Sequence, residues 1–151
     1  MIGQIIGTFR IEQKIGEGGM GAVFRGHDLM LEREVAIKAL RPELARQPEL
    51  VARFRSEAVT LAKLNHSHIA TLYNFVRHGD DYFMVMEFVR GRSLDEALRQ
   101  SGAITVERAV RLFCQALAGI AHAHALGIVH RDIKPANLML TVNDQVKVMD
   151  F

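Results

Sequence analysis

An acid, a base and an amide lie within one short stretch near the end of the chain, His130-Arg131-Asp132-Ile133-Lys134-Pro135-Ala136-Asn137. Because Pro135 is incompatible with the interior of a regular helix, the stretch is predicted to be a loop. In such a loop Asp132 could accept a hydroxyl proton, Lys134 could steady a transferring phosphoryl group, and Asn137 offers an oxygen to a metal ion. Taken by itself, the stretch is more safely interpreted as a solvated turn.

A glycine-rich string near the start of the chain, Gly16-Glu17-Gly18-Gly19-Met20-Gly21-Ala22-Val23, has the pattern G-x-G-x-x-G-x-V. Several nucleotide-binding folds share such strings. In a dinucleotide-binding fold the glycines would open a helix, whereas residues 22–27 here alternate as a strand does. We therefore expect the glycines at the tip of a hairpin, where bare backbone can cover phosphates and present N–H groups. An ordinary glycine-rich hairpin is the alternative for this string alone.

Two charged residues, Lys38 and Glu57, occur in apolar surroundings. Lys38 ends the strand-like string Val-Ala-Ile-Lys, where an unpaired ammonium would be costly to desolvate. Glu57 lies at helical spacing on an apolar stripe, where a carboxylate also needs a partner. We predict that the two residues pair and that phosphate oxygens are the other neighbours of Lys38. In the alternative, Glu57 is a rim residue and Lys38 reaches solvent.

The elements that must position these residues follow from hydrophobic periodicity. Strands are predicted at 9–15, 22–27, 34–40, 71–77 and 82–88, with one amphipathic helix at 48–64. Beyond Gly91 the pattern becomes helical: Ser93-Leu94-Asp95-Glu96 is a capping-box signature, and a long helix is predicted at 105–126. A small hairpin follows at 138–140 and 146–148. These elements indicate an α+β fold in two lobes that meet near residues 90–92.

The long helix is predicted to carry a narrow polar stripe and a broad apolar arc, which is wider than the rest of these residues can cover. The arc consists of Val106, Ala109, Val110, Phe113, Leu117, Ile120 and Ala121, and the stripe of Arg108, Arg111, Gln115 and His122. The single cysteine, Cys114, is expected to be a small core residue in a reducing environment. Histidines two residues apart, at 66 and 68 and at 122 and 124, are expected to be surface or core residues rather than metal ligands.

Composition sets limits on function. A chain of 151 residues with 49% apolar and 24% charged residues is typical of a soluble globular domain. The net charge of +2 comes from basic and acidic residues mixed along the chain, which argues against a nucleic-acid-binding surface. The apolar start lacks the basic region of a secretory signal, and no run approaches the length of a membrane span.

Taken in order, these motifs resemble the signature set of the protein kinases: glycine loop, V-A-I-K, helix glutamate, H-R-D-x-K-x-x-N, and finally Met149-Asp150-Phe151, which begins a D-F-G motif. The glycine string and residues 53–57 look most like the bacterial eukaryotic-like Ser/Thr kinases, and Lys134 matches the Ser/Thr form of the loop. The resemblance implies a two-lobed α+β kinase domain over 9–151. It would comprise a complete five-stranded N-lobe with one main helix at 9–89 and the start of a helical C-lobe at 90–151.

The resemblance also implies ATP and magnesium as cofactors, with roles residue by residue. Asp132 would be the catalytic base, Lys134 the γ-phosphate contact, and Lys38, paired with Glu57, the contact to the α and β phosphates. Asn137 and Asp150 would bind magnesium. Nucleotide contacts are expected at Ile15, Gly16, Glu17, Gly18, Gly19, Met20, Gly21, Val23, Ala36, Lys38, Met86, Glu87, Val89 and Met139. Leu61, Leu72, His130 and Phe151 match the apolar column that such kinases assemble when active.

The function implied is phosphoryl transfer from ATP to serine or threonine hydroxyls of protein substrates, in the cytoplasm or tethered to a membrane through a further segment. The glycine of D-F-G, the activation loop and the A-P-E segment are absent from these residues. We therefore expect the chain to be part of a kinase domain and to be inactive alone. One alternative is a non-catalytic nucleotide-binding or interaction module. A second, a small-molecule phosphotransferase, is disfavoured by the full glycine string and by Lys134.

Overall fold

The computed structural model describes all 151 residues, which form two compact units. The first unit contains Met1–Ala62 and Leu72–Phe88, and the second contains Lys63–Thr71 and Val89–Phe151. The Lys63–Thr71 segment therefore clusters with the second unit although it lies between two elements of the first. None of the helices is long and apolar enough to cross a membrane.

The first unit is built on one antiparallel sheet with the strand order β1-β2-β3-β4-β6-β5. Its elements are β1 (Ile5–Ile6), β2 (Phe9–Glu17), β3 (Gly21–Asp28), β4 (Arg33–Leu40), the short α1 (Pro42–Ala45), α2 (Pro48–Ala62), β5 (Leu72–His78) and β6 (Asp81–Glu87). The predicted mixed fold is confirmed, but the predicted count of five strands is wrong by one. The additional strand, β1, has only two residues between glycines, which is too short for an alternating pattern to be recognised in the sequence.

The two faces of this sheet carry different residues. A core cluster covers one face and is formed by Ile6, Phe9, Ile11, Phe24, Val35, Ile37, Ala39, Phe83 and Val85. Because neighbouring strand residues point to opposite faces, Lys38 lies on the other face. Lys38 pairs with Val23 on β3, and Ala36, two residues earlier on the same face, pairs with Met86 on β6. The register therefore collects these residues on the face opposite the core.

The second unit comprises β7 (Gly91–Ser93), α3 (Leu94–Ser101), α4 (Val106–Ala125), a single 3₁₀ turn (Pro135–Asn137), β8 (Leu138–Thr141) and β9 (Val146–Val148). The predicted capping box is confirmed, because Ser93 Oγ accepts from the Glu96 N–H while the Glu96 carboxylate accepts from the Ser93 N–H. The predicted hairpin is present as β8 and β9, and β7 adds a third strand to it. Its core is formed by Leu94, Ala97, Leu112, Ala116, Leu138, Leu140, Val146 and Val148.

Helix α4 forms within one residue of the predicted bounds, and much of its apolar arc is exposed, as expected, but the row that packs lies outside that arc. The buried residues are Leu112, Ala116, Gly119 and Ala123, whereas the apolar residues Val106, Val110, Phe113 and Leu117 are at least half exposed. The predicted solvent stripe lies beside the buried row: Arg108 and Gln115 bond to residues around β9, and His122 accepts from the Asn65 N–H. Cys114 is exposed, so the expectation of a core cysteine is wrong. Specific bonds from the polar side chains, which periodicity does not reveal, decide which face packs.

Candidate active site

The predicted site residues divide between the two units. The first unit carries Ile15, the glycine string, Val23, Ala36, Lys38, Glu57, Met86 and Glu87, and the second carries Val89, Asp132, Lys134, Asn137, Met139 and Asp150. Each group has a geometry of its own.

The glycine string forms the tip of the β2–β3 hairpin, as predicted. Glu17 is the last residue of β2 and pairs with Ala22, and the Gly18 N–H closes the turn on the Gly21 carbonyl at 2.8 Å. At Gly21 a Cβ would lie 1.8 Å from the Ala39 carbonyl oxygen, whereas at Gly18 it would meet nothing within 4 Å. Gly21 is therefore required by packing. Gly18 leaves open space beside the backbone, as a loop that covers a ligand requires.

Arg41 holds this tip from the neighbouring strand end, and the sequence pattern does not single it out. Its Nη2 donates to the Gly18 carbonyl at 3.1 Å and lies 3.3 Å from Glu17 Oε1, while the Arg41 N–H donates to the Met20 carbonyl at 3.0 Å. Lys14 contacts the other Glu17 oxygen at 2.6 Å, and its hydrogen bond and charge keep the pKa of Glu17 below the ordinary value. Only the pairing geometry of β2, β3 and β4 brings Arg41 to the loop.

Lys38 and Glu57 form the predicted ion pair. Lys38 Nζ on β4 lies 2.6 Å from Glu57 Oε1 on α2, and each side chain is 19% exposed. Phe54, one turn before Glu57, is fully buried, and its ring centroid lies 5.9 Å from the same Nζ. The Glu57 carboxylate accepts a hydrogen bond from one of the three N–H groups of the Lys38 ammonium. The remaining donors of Lys38 and its residual exposure allow it to contact a further anion.

Residues predicted to contact adenine line the same face of the sheet as Lys38. Ala36 and Met86 are buried cross-strand partners, and Val23 is half-buried opposite Lys38. Glu87 ends β6, so its backbone lies at the end of the sheet. Ile15, by contrast, is 48% exposed on β2. The first unit thus presents small and apolar side chains next to a lysine that can bind phosphate.

In the second unit, Asp132, Lys134 and Asn137 are in mutual contact. Lys134 Nζ lies 3.1 Å from Asp132 Oδ2, and Asn137 Nδ2 donates to the same oxygen at 3.2 Å and to the Asp132 carbonyl at 2.9 Å. The hydrogen bond from Lys134 is the main cause of a pKa of Asp132 below the ordinary value, and Asn137 and His130 act in the same direction. Asp132 is therefore an exposed, ionised carboxylate that is fixed by three neighbours.

His130 connects this loop to the end of the chain. It is buried; its Nδ1 accepts the Asp132 N–H at 3.1 Å, and its Nε2 donates to the Met149 carbonyl at 2.6 Å. The His130 ring meets the Phe151 ring edge-on with centroids 4.7 Å apart. Arg131 adopts a left-handed conformation with φ of 71°, which reverses the chain between His130 and Asp132. The bonds of His130 thus link the predicted base to the Met149–Phe151 segment.

Asn137 and Asp150, the predicted metal ligands, are joined through the backbone. The Met149 N–H donates to the Asn137 carbonyl at 2.9 Å, and Asp150 is exposed with φ of 56°. The amide nitrogen of Asn137 is engaged by Asp132, so its side-chain oxygen is the atom available to a cation. A carboxylate and an amide oxygen suit magnesium, a hard cation that prefers oxygen ligands. The donor set therefore fits the predicted ion.

Comparison with known proteins gives a consistent result. The family model described as the protein kinase domain matches residues 9–151. A probable serine/threonine-protein kinase of Streptomyces coelicolor is 45% identical over 96% of this chain and 22% of its own length. PrkC of Bacillus subtilis is 41% identical over 98% of this chain and 23% of its own length. PknA of Mycobacterium tuberculosis is 39% identical over 96% of this chain and 35% of its own length.

The same likeness extends to solved structures. The crystal structure of the PknI kinase domain of Mycobacterium tuberculosis superposes with a TM-score of 0.82 at 25% identity, covering 100% of this chain and 61% of that domain. The chain thus spans about a quarter to a third of the curated relatives and about three fifths of this kinase domain.

Proposed function

This chain belongs to the protein kinase domain family, and on that premise we propose that it carries the ATP-binding and catalytic-loop residues for phosphoryl transfer to serine or threonine hydroxyls of proteins. The observation that carries the proposal is the contact of Asp132 with both Lys134 and Asn137. It supplies a base, a cation and a metal-binding amide in one loop. The likeness to bacterial serine/threonine-protein kinases favours hydroxyl groups of proteins as acceptors.

The first unit is proposed to hold the nucleotide. The backbone N–H groups of the β2–β3 tip would cover the phosphates, and Lys38, fixed by Glu57, would contact the α and β phosphate oxygens. Val23, Ala36, Met86 and the backbone of Glu87 would contact adenine from the first unit, and the resemblance assigns further adenine contacts to Val89 and Met139 of the second unit. Ile15, Gly19 and Met20 complete the proposed contacts.

The catalytic loop is proposed to carry out the proton transfer and charge neutralisation. Asp132 would orient the substrate hydroxyl and accept its proton as the oxygen attacks the γ phosphorus. Lys134 would balance the charge on the γ-phosphate oxygens, and its hydrogen bond also lowers the pKa of Asp132. Asn137 and Asp150 would hold magnesium, which supplies positive charge to the phosphate oxygens. The presence of every motif residue in this stretch favours catalysis over a module that only binds nucleotide.

We further propose that residues 1–151 alone are catalytically silent. The D-F-G glycine, the activation loop and the A-P-E segment expected from the resemblance lie outside these residues. Activity is therefore best measured in a chimera in which residues 1–151 are followed by the remaining part of the kinase domain of PrkC, a 41% identical relative. The unextended chain serves as its comparison.

The deciding experiment measures transfer of labelled phosphate from ATP to a generic protein substrate by this chimera, with and without magnesium. Asp132→Asn is expected to lower turnover by at least about a hundredfold, the scale of a lost general base, with a much smaller change in ATP affinity. Lys38→Met is expected to abolish transfer and to weaken nucleotide binding, because it removes a phosphate contact. Exposed Lys63→Met is the matched control and should keep full activity.

Undiminished transfer by either variant at Asp132 or Lys38 would contradict the assigned roles. Magnesium-dependent ATP binding by a correctly folded chimera without transfer to any protein would favour the alternative of a non-catalytic nucleotide-binding module. Robust transfer by residues 1–151 alone would show that the proposal of a silent chain is wrong.

A further inference from the structure

Three histidines outside the proposed catalytic loop form one cluster in the second unit. The His66 ring centroid lies 5.6 Å from that of His68 and 5.4 Å from that of His122. His66 and His68 belong to the Lys63–Thr71 segment, and His122 lies on α4. No group of histidine, cysteine and carboxylate side chains in the protein has the arrangement of a metal site. The cluster therefore needs an explanation other than metal binding.

Hydrogen bonds define the protonation state that the cluster requires. His66 Nδ1 accepts the His68 N–H at 3.0 Å, and His122 Nε2 accepts the Asn65 N–H at 3.3 Å. A ring nitrogen can accept only when it carries no proton, so both imidazoles must be neutral in this arrangement. His68 differs, because its Nδ1 lies 2.8 Å from the Val146 carbonyl and must donate. Protonation of His66 or His122 would thus remove an acceptor, whereas protonation of His68 would not.

The cluster also opposes the charging of His66. Burial lowers the pKa of His66 below its ordinary value, and His122, His68 and Lys147 lower it further. These three groups face His66 from α4, from its own segment and from β9. A second positive charge beside Lys147 is unfavourable, so a proton on His66 would loosen the contacts as well as remove a bond.

The Lys63–Thr71 segment supports the outer edge of β9. The Val148 N–H donates to the His68 carbonyl at 2.8 Å, and the Ala70 N–H donates to the Val148 carbonyl at 3.2 Å. Two residues earlier in β9, side chains bond to both backbone groups of Val146. His68 Nδ1 donates to its carbonyl, and Gln115 Oε1 accepts its N–H at 2.8 Å. The strand that leads directly to Asp150 is therefore held on this edge by the segment that contains the histidines.

We infer that His66 and His122 are positioning residues which, only in their neutral form, hold the Lys63–Thr71 segment and thereby fix β9 and the backbone that carries Asp150. The role of Asp150 in binding magnesium rests on the proposed function, but the coupling from the histidines to β9 does not. The consequence is a kinase site whose metal-binding end loosens as the solution becomes acidic.

The direction of the pH effect follows from linkage. Because the pKa of His66 is lower in the folded protein, the unfolded chain binds its proton more tightly. The contribution of His66 to stability is therefore fully present above the ordinary histidine pKa of about 6.5 and is lost as pH falls through the folded value. The segment should loosen in this range before the carboxylates titrate.

The test is amide hydrogen exchange of residues 1–151, measured at low micromolar concentration by mass spectrometry with residue-resolved fragmentation. Rates are compared at about pH 7.5 and about pH 5.5, on either side of the ordinary histidine pKa, after correction for intrinsic exchange. Protection of the His68, Asn65 and Val148 amides is expected to fall by about fivefold or more at the lower pH, the effect of one lost net hydrogen bond. Protection of Met149 should fall with them, while that of Ile37 in the first unit should not.

Two substitutions that keep an acceptor but cannot be protonated provide the decisive comparison. His66→Asn places an amide oxygen near the position of Nδ1, and His122→Gln places one near Nε2. The double variant should fold and keep its protection at the lower pH. His124→Gln, two residues from His122 and exposed, should behave as the unsubstituted chain.

Protection of His68 and Val148 that is the same at both pH values, or a loss that persists in the folded double variant, would overturn the inference. A loss of protection at His68 without a loss at Val148 or Met149 would also overturn the inference, because protonation would then not affect β9. Exchange is measured without nucleotide, so a failure of the proposed phosphoryl transfer leaves this result unchanged and the two failures are distinguishable.

Discussion

Single residues in the glycine string have separate reasons for being glycine. Gly21 packs against the backbone of β4, and a Cβ there would overlap the Ala39 carbonyl. Gly16 and Gly18 meet no such obstacle, since the nearest atom to a Cβ at Gly16 is Val23 Cβ at 3.9 Å. The fold therefore explains one glycine, and the proposed ligand must explain the others.

This difference between Gly21 and Gly18 predicts different effects for two alanine substitutions, one on stability and one on ATP binding. Gly21→Ala should lower the free energy of unfolding by about 1–3 kcal/mol, because the clash is with backbone and cannot be relieved by a rotamer change. Gly18→Ala should change it by less than about 0.5 kcal/mol, as at other open surface positions, but should weaken ATP binding. Urea denaturation and nucleotide titration measure the two effects. Equal destabilisation by both would contradict the assignment.

The pairing of Lys38 with Glu57 shows what a sequence can reveal about a site. Each residue is anomalous in its local pattern, and two opposite charges in apolar settings predict each other. Arg41 carries no such anomaly, because it follows a strand and precedes Pro42 as a surface residue would. Its bonds to Gly18 and Glu17 depend on the register of three strands, which no local pattern contains.

At the scale of elements, α4 shows the limit of periodicity most clearly. Its bounds follow from local pattern and from the Thr105 cap, which accepts the Arg108 N–H. Its orientation follows from long-range bonds: Arg108 contacts both carboxylate oxygens of Asp144, at 3.0 and 2.8 Å, and Gln115 bonds to the backbone of Asp144 and Val146. These bonds and the small residues beside them allow close approach to β9. Hydrophobic periodicity alone identifies the apolar arc but not the row of small residues that packs.

The role of Gln115 can be measured directly. Gln115→Ala leaves the Val146 N–H without its acceptor at a buried residue, so the free energy of unfolding should fall by about 1–3 kcal/mol, the cost of an unsatisfied buried donor. Cys114→Ala is the matched control, since Cys114 is adjacent on α4 and exposed. It should be nearly neutral in the same chemical denaturation experiment. A neutral Gln115→Ala would show that packing alone sets the orientation of α4.

Over the whole molecule, the two units were predictable to different extents. The strands of the first unit follow from alternation and turn residues, and only the two-residue β1 was missed. The second unit depends on bonds among α4, β9 and the Lys63–Thr71 segment, which are distant in sequence and polar in character. The motifs of the site could be recognised because each places a charged residue or a glycine at a position where a regular strand or helix rarely has one.

An apolar stripe remains exposed on α4, consisting of Val106, Val110, Phe113 and Leu117 at 81%, 56%, 50% and 59% exposure. Contiguous apolar surface of this kind favours association. Residues 1–151 should therefore bind the dye ANS and self-associate as concentration rises. The double variant Val110→Lys, Phe113→Glu should reduce both effects, measured by fluorescence and light scattering.

Val142→Lys is the control for that experiment, because Val142 is 89% exposed but lies in the β8–β9 turn. It should leave dye binding unchanged. Dye binding that is equally strong in the double variant would assign the effect to another surface.

The burial of Ile6 determines where a recombinant version of this protein should begin. It is completely buried in the core of the first unit, and the neighbouring Gly3 N–H bonds to the Ile11 carbonyl, yet the family model begins only at Phe9. A recombinant version that starts at the family boundary would lack this side chain, at a cost of about 1.5–3 kcal/mol in lost burial. The boundary of the family model therefore lies inside the physical domain, which begins where the first side chain closes the core.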